Sequence, residues 1–184
     1  MNKMSQQILT LCEIARKTLE ATLEGRKFQP DEKTKKNFSE KRACFVTLSK
    51  NNELRGCVGC LEANQELWKN IQKNSISAAF NDYRFMQLTK KEMDNIKIEV
   101  SVLTKPKRIK FNDKDDLINK INNNMGIILK RNPSSATFLP QVWKQIPNKI
   151  KFLEHLSLKA GLDKDAWKKC EIWYYTVEKF EEKY

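Results

Sequence analysis

Seven consecutive residues, Leu54-Arg55-Gly56-Cys57-Val58-Gly59-Cys60, crowd a cation, two thiols and two glycines into one stretch. A cysteine acts as a nucleophile through its thiolate, and a nearby guanidinium favours that form. Strand alternation over this stretch puts Arg55, Cys57 and Gly59 on one face and Leu54, Gly56, Val58 and Cys60 on the other, which makes Arg55 and Cys57 same-face neighbours. Gly56 and Gly59 leave the backbone around Cys57 uncovered, which permits a sharp bend or the close approach of a ligand. The competing reading is a glycine-kinked strand with an inert, buried cysteine. The Cys57-Val58-Gly59-Cys60 spacing can bind a metal or close a redox disulfide. An uninterrupted strand, however, aims the two sulfurs to opposite faces, and no second cysteine pair stands nearby in sequence, so no metal is expected.

Other elements must position this stretch. Cys44 to Leu48 is aromatic and β-branched, and Lys50-Asn51-Asn52 is turn-prone, so the stretch belongs to the second strand of a β-hairpin. Ile8, Leu11, Cys12, Ala15, Leu19 and Leu23 predict a core-packing helix over 5–23, stopped by Gly25. Residues 27–41 are polar, contain Pro30 and show no apolar period, which reads as a loop. A second helix is expected over 66–81, with Asn64 as a possible cap, and its positive N-terminal end would add to Arg55 in stabilising a thiolate.

Further along, residues 96–104 form the clearest strand, and Glu99 at its centre faces either water or a polar cleft. A short helix over 113–122, a strand over 125–130 and a turn at 132–135 follow. Residues 137–143 run through Pro140 into a short helix, with Gln141 projecting from the junction. A helix over 149–160 carries the sole histidine, His155, which is either a proton carrier for Cys57 or a flank residue with a local hydrogen bond. A closing strand spans 171–177.

The run Leu-Arg-Gly-Cys-Val-Gly closely resembles the Leu-Arg-Gly-Cys-Ile-Gly signature of the AMMECR family, whose bacterial and archaeal members are called protein A of the AmmeMemoRadiSam system. Residues 45–48, Ala78-Ala79-Phe80 with Asp82, Arg84, Phe85 and Leu88, then 98–103, 137–143 and 159–162 resemble family blocks in family order. The likeness covers nearly the whole chain. It implies one domain of two lobes, both termini in the larger, with the motif near their junction. It also implies that the motif cysteine is functional, favours the cleft for Glu99, and carries Arg84 over as a binding residue beside Gly56, Gly59 and Gln141. A Memo-like protein and a radical-SAM protein are the implied companions. Two departures stand out: Tyr83, Met86 and Gln87 replace prolines of a family block, and Cys60 is foreign to the signature.

At 184 residues and 40% hydrophobic, the chain is long enough for one substantial core or two small ones. Its net charge of +12 raises nucleic acid as a partner, yet only seven of the 35 basic residues are Arg, and the Lys are scattered among acids as on a solvated surface. The five cysteines are an odd number without regular spacing, which argues against a disulfide framework and for reduced thiols in the cytoplasm. No long apolar run occurs, which disfavours a signal peptide and a membrane span.

The order of elements lacks a βαβ rhythm and predicts an α+β fold with a mainly antiparallel β-sheet flanked by helices. Three function classes follow. The first is an enzyme or enzyme subunit with Cys57 as nucleophile, Arg55 holding the thiolate or a small-molecule anion, and Glu99 or His155 carrying the proton. The second is a non-catalytic adaptor docking on the companions, and the third is a nucleic-acid binder resting on charge alone. No P-loop, dinucleotide fingerprint or zinc quartet is present, so no cofactor is expected.

Overall fold

The computed structural model describes residues 9–182. They divide into two compact units, one of the residues up to Leu103 and from Glu178 onward, the other of Thr104–Val177. Each unit holds a four-stranded sheet with helices packed on it, which makes the fold α+β. The mainly antiparallel pairing that the pattern predicts is present in two sheets: the chain leaves the first after Leu103 and returns to it past Thr176, inside the stretch where a single closing strand is expected.

In the first unit, α1 (Leu11–Leu23) starts at Thr10, whose hydroxyl accepts from the Glu13 N–H while Glu13 accepts from the Thr10 N–H. This reciprocal cap starts the helix at Leu11, so Leu9 and Thr10 of the predicted span lie outside it. The predicted turns over 5–8 fall outside the described residues. A six-residue helix, α2 (Glu32–Asn37), replaces part of the expected loop, capped by the Asp31 carboxylate on the Thr34 N–H. Only Thr34 of this helix is buried, so no apolar stripe announces it.

β1 (Cys44–Lys50) and β2 (Glu53–Gly59) pair antiparallel around Asn51 and Asn52, both at positive φ, which asparagine tolerates better than most residues. With β3 (Ile96–Leu103) and β8 (Val177–Glu181) the sheet order is β2-β1-β3-β8, leaving β2 at an edge. α1 and α3 (Leu67–Phe80) cover one face, where Cys44, Val46, Leu48, Ile98 and Val100 are buried with Ile14, Leu19 and Ile71. Each such aliphatic side chain contributes about 2 kcal/mol of burial energy. α3 begins at Leu67 without a side-chain cap, and Asn64 instead bonds Glu62. A 3₁₀ turn, Lys90–Asn95, is held by a Thr89–Glu92 capping box.

The second unit contains β4 (Lys107–Ile109), α4 (Lys114–Lys120), β5 (Gly126–Arg131), β6 (Ser134–Phe138), α5 (Lys149–Lys159) and β7 (Glu171–Tyr175). Its sheet order is β4-β7-β5-β6, over a core of Leu117, Ile127, Leu129, Phe152, Leu156, Trp167 and Ile172. No helix of the described residues is long and apolar enough to cross a membrane.

Candidate functional site

Cys57 lies on edge strand β2, on the sheet face opposite the helices. Register places it against Thr47 of β1, and Thr47 against Glu99 of β3, so the three side chains form one row across the strands. The Thr47 hydroxyl donates to the Cys57 sulfur at 3.3 Å. Glu99 accepts from the Ser101 hydroxyl at 3.0 Å and from Lys179 Nζ at 3.0 and 3.1 Å. Cys57 is half-buried, and the core side chains occupy the other face.

An edge strand leaves outward backbone groups without a ladder partner. At Cys57 both are taken up: its N–H donates to Asp82 Oδ2 at 2.9 Å, and its carbonyl accepts from Arg84 Nη2 at 3.4 Å. Asp82 and Arg84 are themselves joined, with Nε to Oδ1 at 2.9 Å and Nη2 to Oδ2 at 2.7 Å. These Arg84 hydrogen bonds, with the Cys57 N–H assisting and burial opposing, hold the Asp82 carboxyl well below the usual carboxylate range. Asp82 follows directly on the end of α3, and Gly56 packs where a Cβ would run into the Ala78 carbonyl oxygen. The helix end that reaches Cys57 is therefore the C-terminal one, with the opposite dipole sign to that expected from sequence. The N-terminus of α3 does not supply positive charge here because the helix runs back along β2 rather than starting beneath Cys57.

Arg55 requires a second correction. Leu48 opposes Gly56 whereas Ser49 opposes Leu54, so Arg55 is an extra residue in the strand, and the bulge breaks the alternation that pairs it with Cys57. Its guanidinium bonds Glu92 instead, Nε to Oε1 at 3.3 Å and Nη2 to Oε2 at 3.2 Å, while Nη1 is buried without a hydrogen-bond partner. Arg55 foremost, with Lys50 and the Thr89 N–H, lowers the Glu92 carboxyl to about 2. The guanidinium beside Cys57 is that of Arg84, and the Phe85 ring lies 5.3 Å from it and 6.0 Å from that of Arg55.

Gly59 sits where a side chain would strike the Phe45 ring, its partner in register. Gln141 lies exposed on a 3₁₀ turn, Pro140–Lys144, and His155 lies exposed on α5; both belong to the second unit. Thr47 and Asp82 carry the geometry around Cys57, yet sequence reasoning gives neither a role. Thr47 is legible only once the hairpin register is known, whereas the Asp82-Tyr83-Arg84 spacing already offers a carboxylate and a guanidinium within reach of each other.

Residues 12–180 match the sequence model of the AMMECR1 family. The chain belongs to the AMMECR1 family. It is 37% identical over 183 residues to protein NEQ441 of Nanoarchaeum equitans, covering 95% of this chain and 99% of that protein. To protein MK0488 of Methanopyrus kandleri it is 39% identical over 183 residues, covering 94% and 86%. Its fold matches the crystal structure of the uncharacterised protein PH0010 from Pyrococcus horikoshii with a TM-score of 0.77 at 33% identity, covering 95% of this chain and 90% of that one. None of these three names states a reaction.

Proposed function

We propose that this AMMECR1 protein performs cysteine-centred chemistry on a small anionic molecule, with Cys57 as nucleophile. The observation that carries the reading is the side-chain and backbone support converging on one half-buried residue. Thr47 donates to its sulfur, and Asp82 and Arg84 hold its main chain. In the reaction the Cys57 sulfur forms a bond to an electrophilic carbon of the substrate, and the leaving group departs with a proton. Arg84, whose side chain is 44% exposed, meets the substrate's anionic group. Glu99 stands two strands from Cys57, roughly 9–10 Å by strand spacing. It therefore exchanges a proton with the far end of a substrate lying along the row, not with the sulfur. Family membership supports action beside Memo-like and radical-SAM companions, and five free thiols support a cytoplasmic setting.

The test is alkylation of the folded protein with iodoacetamide, followed by mass mapping. Labelling of Cys57 in the native state, slowed by an anionic competitor in wild type but not in Arg84→Ala, is the expected result. A Cys57 that reacts only after unfolding overturns the reading.

A second reading has its own observation: Tyr83 and Met86, 96% and 86% exposed, flank Arg84 on the segment that braces Cys57. Large exposed side chains at this density suit a docking surface for a companion protein. Loss of companion binding in Tyr83→Ala/Met86→Ala, with Cys57 dispensable, would favour the adaptor.

A further inference from the structure

Cys60 is the residue of the motif that the chemistry at Cys57 leaves unused. β2 ends at Gly59, and the next residue turns its sulfur to the helix-covered face, away from Cys57. Phe45 opposes Gly59 in the ladder, and the Cys60 N–H donates to the Cys44 carbonyl at 3.0 Å, so Cys44 and Cys60 are direct cross-strand neighbours. Opposed residues of an antiparallel pair lie about 5.5 Å apart at Cα, within the span that a disulfide bridges. Above them, buried Asn74 of α3 points its amide at both: Nδ2 lies 3.0 Å from the Cys44 carbonyl oxygen, 3.5 Å from the Cys44 sulfur and 3.9 Å from the Cys60 sulfur. An amide nitrogen has two hydrogens, so one serves the carbonyl and the other is shared between the sulfurs. The two thiols differ in access. Cys44 is fully buried, whereas Cys60 lines an open cleft of about 460 Å³ together with Asn64, Asn70 and Lys73.

We propose that Cys44 and Cys60 are a redox pair that closes to a disulfide when a hydroperoxide enters the cleft at Cys60. The Cys60 thiolate attacks the peroxide, an S–O bond forms as the O–O bond breaks, and the alkoxide or hydroxide leaves as an alcohol or water after taking a proton. The Cys44 sulfur then attacks the Cys60 sulfenic acid; the S–S bond forms, the S–O bond breaks, and the second oxygen leaves as water with the Cys44 proton. Two thiols are oxidised by two electrons and the peroxide is reduced by two. The order follows from burial, which pushes the Cys44 thiol up to about 12 and keeps it protonated until the sulfenic acid is beside it. The product staples β1 to β2 three residues beyond Cys57, where the edge strand leaves the sheet.

The experiment treats the reduced full-length chain with hydrogen peroxide, then maps peptides without reduction. The expected product joins the Cys44 and Cys60 peptides with loss of two hydrogens, is reversed by dithiothreitol, and also forms in Cys57→Ser, which separates it from the chemistry proposed at Cys57. In Cys44→Ala, dimedone should trap a sulfenic acid at Cys60, and in Cys60→Ser, with its substitution at the cleft rim, Cys44 should stay reduced. A disulfide between Cys57 and Cys60, a wild-type Cys60 that passes directly to sulfinic acid, or a Cys44 that oxidises without Cys60 would overturn the proposal.

Discussion

The Thr47 hydroxyl donates to the Cys57 sulfur across the β1–β2 ladder at 3.3 Å. This is the side-chain hydrogen bond to Cys57, and it is one that a thiolate strengthens and a neutral thiol barely uses. Thr47→Val keeps the shape and deletes the donor. It is expected to slow Cys57 alkylation at neutral pH by roughly tenfold, the lower end of what a hydrogen bond to a charged group is worth, with the Cys60 rate unchanged. An equal slowing at both thiols would point to a general loosening of the sheet.

Gly56 is a packing requirement set by α3. A methyl group there meets the Ala78 carbonyl oxygen, and because that atom is helical backbone it has no rotamer by which to move aside. Gly56→Ala should cost about 2 kcal/mol through overpacking, read as a lower denaturant midpoint at unchanged slope.

Asp82 and Glu92 give the first unit an acid-sensitive component. Both carboxyls are held below their ordinary values by Arg84 and Arg55 respectively, so on acidification the unfolded chain takes up protons before the folded one does. Their contribution is fully present above about pH 5, where unfolded carboxylates are ionised, and is lost as pH falls toward the folded values. Thermal melts should show the midpoint falling through that window, with a shallower fall in Glu92→Gln. Asp82→Ala should cost about 2 kcal/mol at neutral pH, since it strands the Cys57 N–H and breaks a half-exposed ion pair.

Much of the first unit was legible in residue order. The Asn51-Asn52 turn, the alternation of β3 and the apolar periods of α1 and α3 identify elements whose cores are set by side chains close in sequence. The misreadings share a cause, which is that a distant partner decides the outcome. Arg55 leaves the alternating pattern for Glu92, 37 residues away, and no period of two can announce a bulge selected by that ion pair. Which end of α3 reaches Cys57 depends on the direction in which the helix folds back. α2 is the exception: its signals are local, the Asp31 cap and a single buried residue, Thr34, with no apolar stripe to announce it. Cys60 is visible as a departure from the family signature, but its neighbour Cys44 follows only from the ladder register.

The net charge of +12 is carried by scattered lysines, many in ion pairs such as Lys179–Glu99, Lys97–Glu181 and Lys120–Asp116. Binding to duplex or single-stranded oligonucleotides is therefore expected to be weak, indifferent to sequence and abolished by moderate salt. Fluorescence anisotropy across a salt series checks this. Tight binding that survives added salt would place a nucleic-acid interface on the protein.

The five thiols should separate into two groups under limited alkylation of the folded chain. Cys12, Cys44 and Cys170 are buried. Burial foremost pushes Cys12 up to about 11, with the Glu182 carboxylate adding to it, and pushes Cys44 up to about 12; Cys170 is raised by the same cause. A thiol that is both inaccessible and protonated reacts only on opening of the fold. Cys57 and Cys60 are half-buried, and each has a donor directed at its sulfur, the Thr47 hydroxyl for one and the Asn74 amide for the other. Native labelling at neutral pH should therefore modify Cys57 and Cys60 first, with Cys57 ahead because the Thr47 contact at 3.3 Å is shorter than the Asn74 contact at 3.9 Å. Prior oxidation with peroxide should remove Cys60 from the reactive group as a disulfide with Cys44 that dithiothreitol reopens. Early labelling of Cys12 or Cys170 would show that the packing around α1 or β7 opens more readily than the buried positions of these thiols imply.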